Sequence, residues 1–565
     1  MLVALCLCVI LPGFFNLPAI DRDEPRFAQA SRQMFETGDF IVPMVQDRPR
    51  LNKPPLIYWL QATSARFFTG NRPMEDAIWM YRVPSALCAI GAVLCTYGIG
   101  RRIFDARAAW LGAALLAVCP LVVVDAHLAR ADQLLLVCTT ATMGCLWRVT
   151  ATRGTRVGWV LLLWLCCGLG ILAKGPITPL VVLLTIAAFC AWKRDWSLVR
   201  WSRVWWGVPI AIACVVPWVV LVVRKVGAET YFRTIYNETI GRSLEASENH
   251  KGPPGYHLVL LVVMFFPGSL LTGSAFARVL ARGTRAGNRS RWVGTDAELF
   301  LLCWTIPTWI FFECVMTKLP HYTLPTFPAI ALLTARWTLV AGAHWRGRVP
   351  KSVRIGGWIW AGVGAVGVAG FAGFMSWWGP GDMQIRVLGV VLSVGAFIAM
   401  IAAGWHARRG LFQRAVTIAG VAWMGMVVLL LGVVLPLAKK VWLTERVVEM
   451  TLQDFNNGKK NNITIACVEY QEDSLIFATR GKCVRLSEDQ LDAWIEANPR
   501  GFVILQVPSK HTLWTSRERR RQYSCYVING FQLAKGKLAQ VAVMQRLEVE
   551  EKIFYRHPGD TRRRD

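Results

Sequence analysis

Apolar stretches of 17–23 residues recur along the first 436 positions, and this repetition limits the fold more than anything else in the 565 residues. A hydrocarbon layer about 30 Å thick needs roughly 20 apolar residues in helical form. Helices suit it because each backbone N–H and C=O is satisfied within the segment. Thirteen such stretches are read, near 1–18, 80–100, 107–125, 133–149, 157–173, 176–192, 204–223, 257–276, 297–316, 322–340, 355–375, 386–404 and 414–436. Soluble helices would carry a polar face of period 3.6, and these runs have almost none. With 54% hydrophobic residues and a mean hydropathy of +0.38, the expected fold is a mainly α polytopic membrane protein of about 13 transmembrane helices.

A formal net charge of +27 would suggest nucleic acid in a soluble chain. Here the placement of the charge decides. With the amino terminus inside, alternate short connections carry Arg101, Arg102 and Arg107; Arg148, Arg153 and Arg156; Lys193, Arg194, Arg200 and Arg203. The same alternation continues at Arg278, Arg282, Arg285, Arg289 and Arg291; at Arg336, Arg346, Arg348, Lys351 and Arg354; and at Arg408, Arg409 and Arg414. The intervening short connections carry one cation or none, apart from 224–256. This is the positive-inside bias, so no nucleic-acid partner is expected. It turns the connections at 19–79, 125–132, 173–177, 224–256, 316–323 and 376–385, and everything after 437, outward.

Met1–Pro18 reads as a first membrane helix, because it lacks the basic start and small-residue cleavage site of a signal peptide. Of 16 cysteines, 13 fall in expected spans, where Cys packs as a small apolar residue. Cys467, Cys483 and Cys525 remain, enough for one disulfide whose partners the sequence does not choose. No C-x-x-C pair or His cluster marks zinc. The outward loop 19–79 is long enough to hold machinery. In it, Glu24–Thr37 places Phe27, Ala30, Met34 and Phe35 near helical spacing, and Gly38-Asp39 breaks the pattern. Pro55–Phe68 repeats it with Leu56, Trp59, Leu60, Thr63 and Phe67. Both read as amphipathic helices at the interface. After Leu437, Ile463–Val468, Phe502–Val507 and Val541–Leu547 read as strands and Glu488–Ala497 as a helix, a small α/β domain over 437–565. The run Arg517–Arg521 reads as a solvated face, with a contact for anionic lipid headgroups as the alternative.

The polar groups that stand out converge on the outward side. Asp23 and Glu24 supply carboxylates; Arg26, Lys53, Arg130, Lys174 and Lys318 supply cations. Ionisable groups at a membrane edge are costly and usually serve a task. Cations there suit phosphate, and a nearby carboxylate suits a general base or an orienting group. A lipid-phosphate-linked sugar meets both needs. Its leaving group is a phosphate, so fixed cations that stabilise the developing charge lower the barrier. Direct displacement by an acceptor inverts the anomeric carbon. A hydroxyl acceptor would give its proton to Asp23; a phosphate acceptor would need only orientation. The alternative is a flippase or transporter of lipid-linked sugars. That class favours inverted repeats and midplane charges, and the sequence shows neither.

The segments Asp23-Glu24-Pro25-Arg26-Phe27-Ala28, Asn52-Lys53-Pro54-Pro55-Leu56, Leu172-Ala173-Lys174-Gly175-Pro176 and Thr317-Lys318-Leu319-Pro320-His321-Tyr322-Thr323-Leu324-Pro325 occur in this order. Together they resemble the GT-C glycosyltransferases of the aminoarabinose (lipid A) transferase type, relatives of the protein O-mannosyltransferases. The resemblance covers roughly residues 15–340. It implies a GT-C domain over 1–436 with a catalytic loop at 19–79. It also implies a polyprenyl-phosphate sugar donor, a lipid, glycan or protein acceptor, and a site at the outer face of the bacterial inner membrane. Asp23, with Glu24 beside it, would be the catalytic carboxylate. Arg26, Lys53, Arg130, Asp132, Lys174, Lys318, His321 and Tyr322 would bind the donor phosphate and sugar. His250 matches a histidine that, in the lipid A transferases, shares a metal with a glutamate preceding the Lys-Pro. Asn52 stands at that glutamate's position, and an amide is a poorer ligand than a carboxylate. No cofactor is therefore expected, with a divalent metal at His250 as the alternative.

Overall fold

In a computed structural model of the chain, residues 1–20, 22–241, 252–285, 296–345, 348–378, 383–456, 464–509, 511–532 and 535–547 are described. Contacts divide the chain into two units. One comprises residues 1–17 and 30–434, the other residues 18–29 with 435–565.

In the first unit, nine helices among the described residues are long and apolar enough to cross a membrane. They are Ile78–Ile103, Asp132–Ala151, Val157–Lys174, Val204–Val226, Asp296–Cys314, Pro320–His344, Lys351–Ser376, Met383–Arg408 and Phe412–Leu437. A tenth arises if Ala106–Val118 and Pro120–Ala126, bent by 56°, make one span. Pro120 opens the second half, a position where its missing N–H costs no helical bond. Ile177–Lys193 is apolar but shorter, at 17 residues.

Besides that bent pair, two of the thirteen expected stretches do not form continuous helices, and each break has a local cause. The stretch 1–18 is helical only over Leu2–Ile10, because Pro12 and Gly13, the latter at φ 74°, turn the chain. The stretch 257–276 divides into Tyr256–Met264, a 3-10 turn at Gly268–Leu271 and Thr272–Arg285, with Pro267-Gly268 between them. Apolarity alone carries no information about such breaks.

The two helices expected in loop 19–79 form at Asp23–Thr37 and Leu56–Phe68. Gly38, at φ 73°, ends the first in the left-handed conformation that glycine adopts most cheaply. The pair is stapled by polar contacts within the first unit. Ser31 Oγ donates to Gln61 Oε1 at 2.7 Å. Asp76 accepts from Arg32 Nε at 2.7 Å and from the Tyr81 hydroxyl at 2.5 Å. Arg82 is fully buried and donates Nη1 to the carbonyls of Leu17 (2.7 Å) and Phe14 (3.3 Å). Trp59 and Trp218 donate their indole N–H groups to Phe40 and Ile41, above an apolar cluster of Val42, Leu51, Trp218, Val222 and Tyr231. The loop is thus a packed structure, with Phe67 and Phe68 left exposed at its rim.

The second unit is built on a five-stranded sheet. Its spatial order is Cys483–Arg485, Ile465–Val468, Phe502–Val507, Lys537–Arg546, Tyr523–Gln532. The first three strands are parallel and the last two pairings antiparallel. Ile465–Val468 is buried on both faces, as a central parallel strand must be. The period-two alternation sends Ile465, Cys467, Phe502 and Ile504 to the face covered by Leu443, Val447 and Leu475. It sends Ala466, Val468, Val503 and Leu505 to the face covered by Leu491 and Ile495. Tyr523–Gln532, Cys483–Arg485 and the helix Asp473–Ala478 have no counterpart in the sequence reading. The basic run is a short helix at Arg517–Arg520; Arg519 pairs with Asp492 at 2.7 Å, and Arg520 lies over the Trp514 ring. The Arg519 guanidinium holds the Asp492 carboxyl below the usual carboxylate range.

The Arg32–Asp76–Tyr81 staple yields a stability prediction. Asp76→Ala leaves the 3% exposed Arg32 side chain without its carboxylate, which costs about 3–5 kcal/mol. Thermal unfolding in detergent should show the loss. Arg72→Ala, which removes a surface pair with Glu75, should stay within about 0.5 kcal/mol of the parent.

Candidate active site

Helix connectivity sets the frame. Successive spans alternate in direction, so the start of Asp132–Ala151, the end of Val157–Lys174, the end of Asp296–Cys314 and the start of the Pro320 segment fall at one end of the first unit. The contacts agree with this. Lys174 Nζ donates to Asp132 Oδ1, and His321 Nε2 lies 3.7 Å from the same oxygen. Contacts at the opposite end agree as well: Lys193 meets Asp296 at 2.5 Å and Arg336 meets Asp105 at 2.9 Å.

Asp132 is the centre of the cluster. Its side chain is 6% exposed and opens its helix, where the dipole favours an anion. Lys174 closes the neighbouring helix, where the dipole favours a cation. Gly175, at φ 71°, turns the chain directly after Lys174 and Pro176 caps the next helix, so the Lys-Gly-Pro run fixes the lysine at the corner. Arg130 lies between two carboxylates. Its Nη2 donates to Asp125 Oδ1, and its Nε is 3.7 Å from Asp132 Oδ2. Four of the donor-binding candidates, Arg130, Asp132, Lys174 and His321, therefore form one network with Asp125. Tyr322 is half-buried beside them, its ring 5.5 Å from that of Phe312.

Lys53 and Lys318 take other carboxylates. Lys53 Nζ is 3.6 Å from Glu238 Oε2, both about four-fifths buried. Lys318 Nζ donates to the carbonyls of Glu313 (2.6 Å) and Val315 (3.2 Å) and sits 3.7 Å from Glu313 Oε2. It thus caps the end of the helix Asp296–Cys314. Glu313 also accepts from the backbone N–H of His257 (2.9 Å) and Gly255 (3.1 Å), and lies 3.1 Å from His257 Nδ1. Asp125, Glu238, Glu313 and His257 are absent from the sequence-based set. For Asp125, Glu313 and His257 the one signal was a charged or imidazole group at the end of an apolar run; Glu238, inside the connection 224–256, carried none.

Asp23, Glu24 and Arg26 belong to the second unit by their contacts. Glu24 is 1% exposed and accepts the Ile20 backbone N–H at 2.8 Å, so its carboxylate supports the turn into the helix. Arg26 Nε donates to Asp473 Oδ2 at 2.6 Å. In the first loop, Asp39 lies 2.7 Å from Lys225. Partial burial works against its charge, but Lys225 and the Ile41 N–H outweigh it and hold its carboxyl below the usual range.

A metal finds no ligand set among the described residues, where no three His, Cys, Asp or Glu side chains converge. Asn52 offers one buried amide oxygen without a hydrogen-bond partner among those residues. His250 lies outside them.

The chain is similar to several known proteins. Residues 52–221 match the family described as dolichyl-phosphate-mannose-protein mannosyltransferase. The chain is 26% identical over 394 residues to an undecaprenyl phosphate-alpha-4-amino-4-deoxy-L-arabinose arabinosyl transferase of Erwinia tasmaniensis, covering 68% of this chain and 66% of that protein. It is 28% identical over 449 residues to a second such transferase from Sodalis glossinidius, covering 76% of this chain and 74% of that protein. The crystal structure of ArnT from Cupriavidus metallidurans bound to undecaprenyl phosphate superposes with a TM-score of 0.73 at 20% identity, over 96% of this chain and 97% of that one. An archaeal oligosaccharyltransferase, AglB from Archaeoglobus fulgidus, shares the fold more distantly, with a TM-score of 0.51.

The fold is the multi-span helical fold of the ArnT and AglB structures, and the curated relatives are glycosyltransferases. In sequence the chain is similar to the undecaprenyl phosphate-alpha-4-amino-4-deoxy-L-arabinose arabinosyl transferases.

The network makes a prediction of its own. Asp132→Asn removes the shared carboxylate and leaves Lys174 and Arg130 short of charge, at a cost of about 3–5 kcal/mol. Adding Lys174→Met should recover part of that loss, a coupling that a double-mutant cycle on unfolding in detergent would measure.

Proposed function

We propose that this protein transfers a sugar from a polyprenyl-phosphate donor to a lipid, glycan or protein acceptor, with inversion at the anomeric carbon. The observation that carries the reading is a set of cations in the first unit, each matched to a carboxylate. Lys53, Arg130, Lys174 and Lys318 hold Glu238, Asp125, Asp132 and Glu313. Buried cations need partners when no ligand is bound, and an arriving phosphate can exchange with those partners. As the C1–O bond breaks, the cations stabilise the charge that collects on the leaving phosphate. Asp23 takes the proton of a hydroxyl acceptor or orients a phosphate acceptor. Glu24 supports the turn that carries Asp23. His321 and Tyr322 are assigned to the sugar.

The donor is taken to be 4-amino-4-deoxy-L-arabinose on undecaprenyl phosphate, the compound in the relatives' names. The acceptor favoured by the resemblance is lipid A. Thirteen crossings, an inward amino terminus and an outward site in the inner membrane complete the reading. They rest on the alternation of basic connections and on counting the bent, short and broken apolar helices as spans. The C-terminal residues 437–565 are read as an outward α/β domain. Charge neutralisation is assigned to side chains and not to a resident metal, because Asn52 stands where the lipid A transferases carry a glutamate. A flippase is disfavoured, since the relatives are transferases and the ionisable groups of the site lie at span ends.

Mass spectrometry of envelope lipids and glycoproteins with and without the protein tests the reading. Loss of an amino-pentose from lipid A supports it; unchanged glycans and lipids refute it. Asp23→Asn should lower turnover by about 10²–10⁴-fold while undecaprenyl phosphate binding persists. A chelator should leave the rate of the parent enzyme unchanged.

A further inference from the structure

Three consecutive buried polar residues, Glu472, Asp473 and Ser474, open the short helix that follows the central strand of the C-terminal sheet. Two of them have partners in the C-terminal part of the chain. Glu472 accepts from Gln532, and Ser474 donates to Thr444 at 2.8 Å. Asp473 instead reaches a residue 447 positions away, in the first loop. Each of its oxygens is held by one guanidinium: Oδ2 by Arg26 Nε and Oδ1 by Arg485 Nη2, both at 2.6 Å. Asp473 is 6% exposed, while Arg26 and Arg485 are 29% and 31% exposed.

We propose that Asp473 is a positioning residue for the transfer reaction: bridging Arg26 and Arg485, it fixes the first turn of the helix that carries Asp23. The inference rests on the reading of Asp23 given above. Arg26 is three residues after Asp23 in the helix Asp23–Thr37, so holding one restrains the other. The support behind the clamp is rigid. Asp473 follows Ile465–Val468, the strand buried on both faces, and Arg485 ends the strand beside it. A helix N-terminus also favours the Asp473 charge. Glu24 secures the same turn by accepting the Ile20 N–H. This gives Arg26, a donor-phosphate candidate by sequence, a structural anchor at Nε. It also gives the C-terminal part of the chain a catalytic duty: it holds the candidate base in place. Displacement of a reacting group by about 1 Å costs about 10²-fold in rate, so the clamp should act on kcat.

The test uses the full chain in detergent, with undecaprenyl phosphate-linked 4-amino-4-deoxy-L-arabinose as donor and lipid A as acceptor. Asp473→Asn should lower kcat about 10- to 100-fold and leave the donor KM unchanged. Asp473→Glu should restore a large part of the rate. Arg26→Lys should repeat the kcat loss, and the Arg26→Lys/Asp473→Asn double variant should be no slower than the worse single. If Asp473→Asn does not fold, the kcat and KM of Arg26→Lys decide alone. A raised donor KM in Arg26→Lys with kcat intact would make Arg26 a phosphate ligand and overturn the proposal. So would parental kcat in Asp473→Asn while Asp23→Asn is inactive. Full activity in Asp23→Asn would overturn the Asp23 reading itself, and the positioning proposal with it.

Discussion

A carboxylate buried at the corner of three helical segments and shared among cations is the interaction on which this site depends. Asp132 meets Lys174, Arg130 and His321, and none of these groups tolerates that environment alone. The cost of removing charge from water falls when opposite charges lie within a few ångströms and helix ends add partial charges of the right sign. The outcome is a set of cations held in place before any ligand arrives. Preorganisation of this kind matters for a leaving phosphate, because groups that are already fixed need no rearrangement as charge develops.

The membrane explains why the charges sit where they do. Spans alternate in direction, so the charged groups of successive connections fall into two sets at opposite ends of the first unit. Asp132, Lys174, Glu313, Lys318 and His321 belong to the first set. Lys193 with Asp296 and Arg336 with Asp105 belong to the second, where ion pairs tie neighbouring connections together.

The C-terminal residues enter the account through contacts rather than through a site of their own. Their sheet supplies a buried strand, an acidic turn and an arginine on the neighbouring strand, and together these hold Arg26. A strand buried on both faces has little freedom to shift, which suits it to carry an anchoring carboxylate.

Much of the architecture was legible in the amino acids, because it follows from local rules. The helices of loop 19–79 were read within a residue or so, since apolar spacing and the Gly38-Asp39 break act over a few residues. Most spans were read because length and apolarity decide them. The breaks after Ile10 and at Pro267-Gly268 were passed over, since hydropathy averages across the one or two residues that cause them. Cys483–Arg485 and Tyr523–Gln532 were missed for a different reason: a short edge strand and a half-exposed hairpin carry weak patterns. The sequence also named Asp132, Lys174, Arg130 and His321 as candidates. It did not supply their partners, because a pair is chosen by distance in space. Asp132 meets Lys174 across 42 residues and Arg26 meets Asp473 across 447, separations that no local pattern encodes. Which carboxylate neutralises which cation follows from how helices pack, and packing is a property of the folded chain.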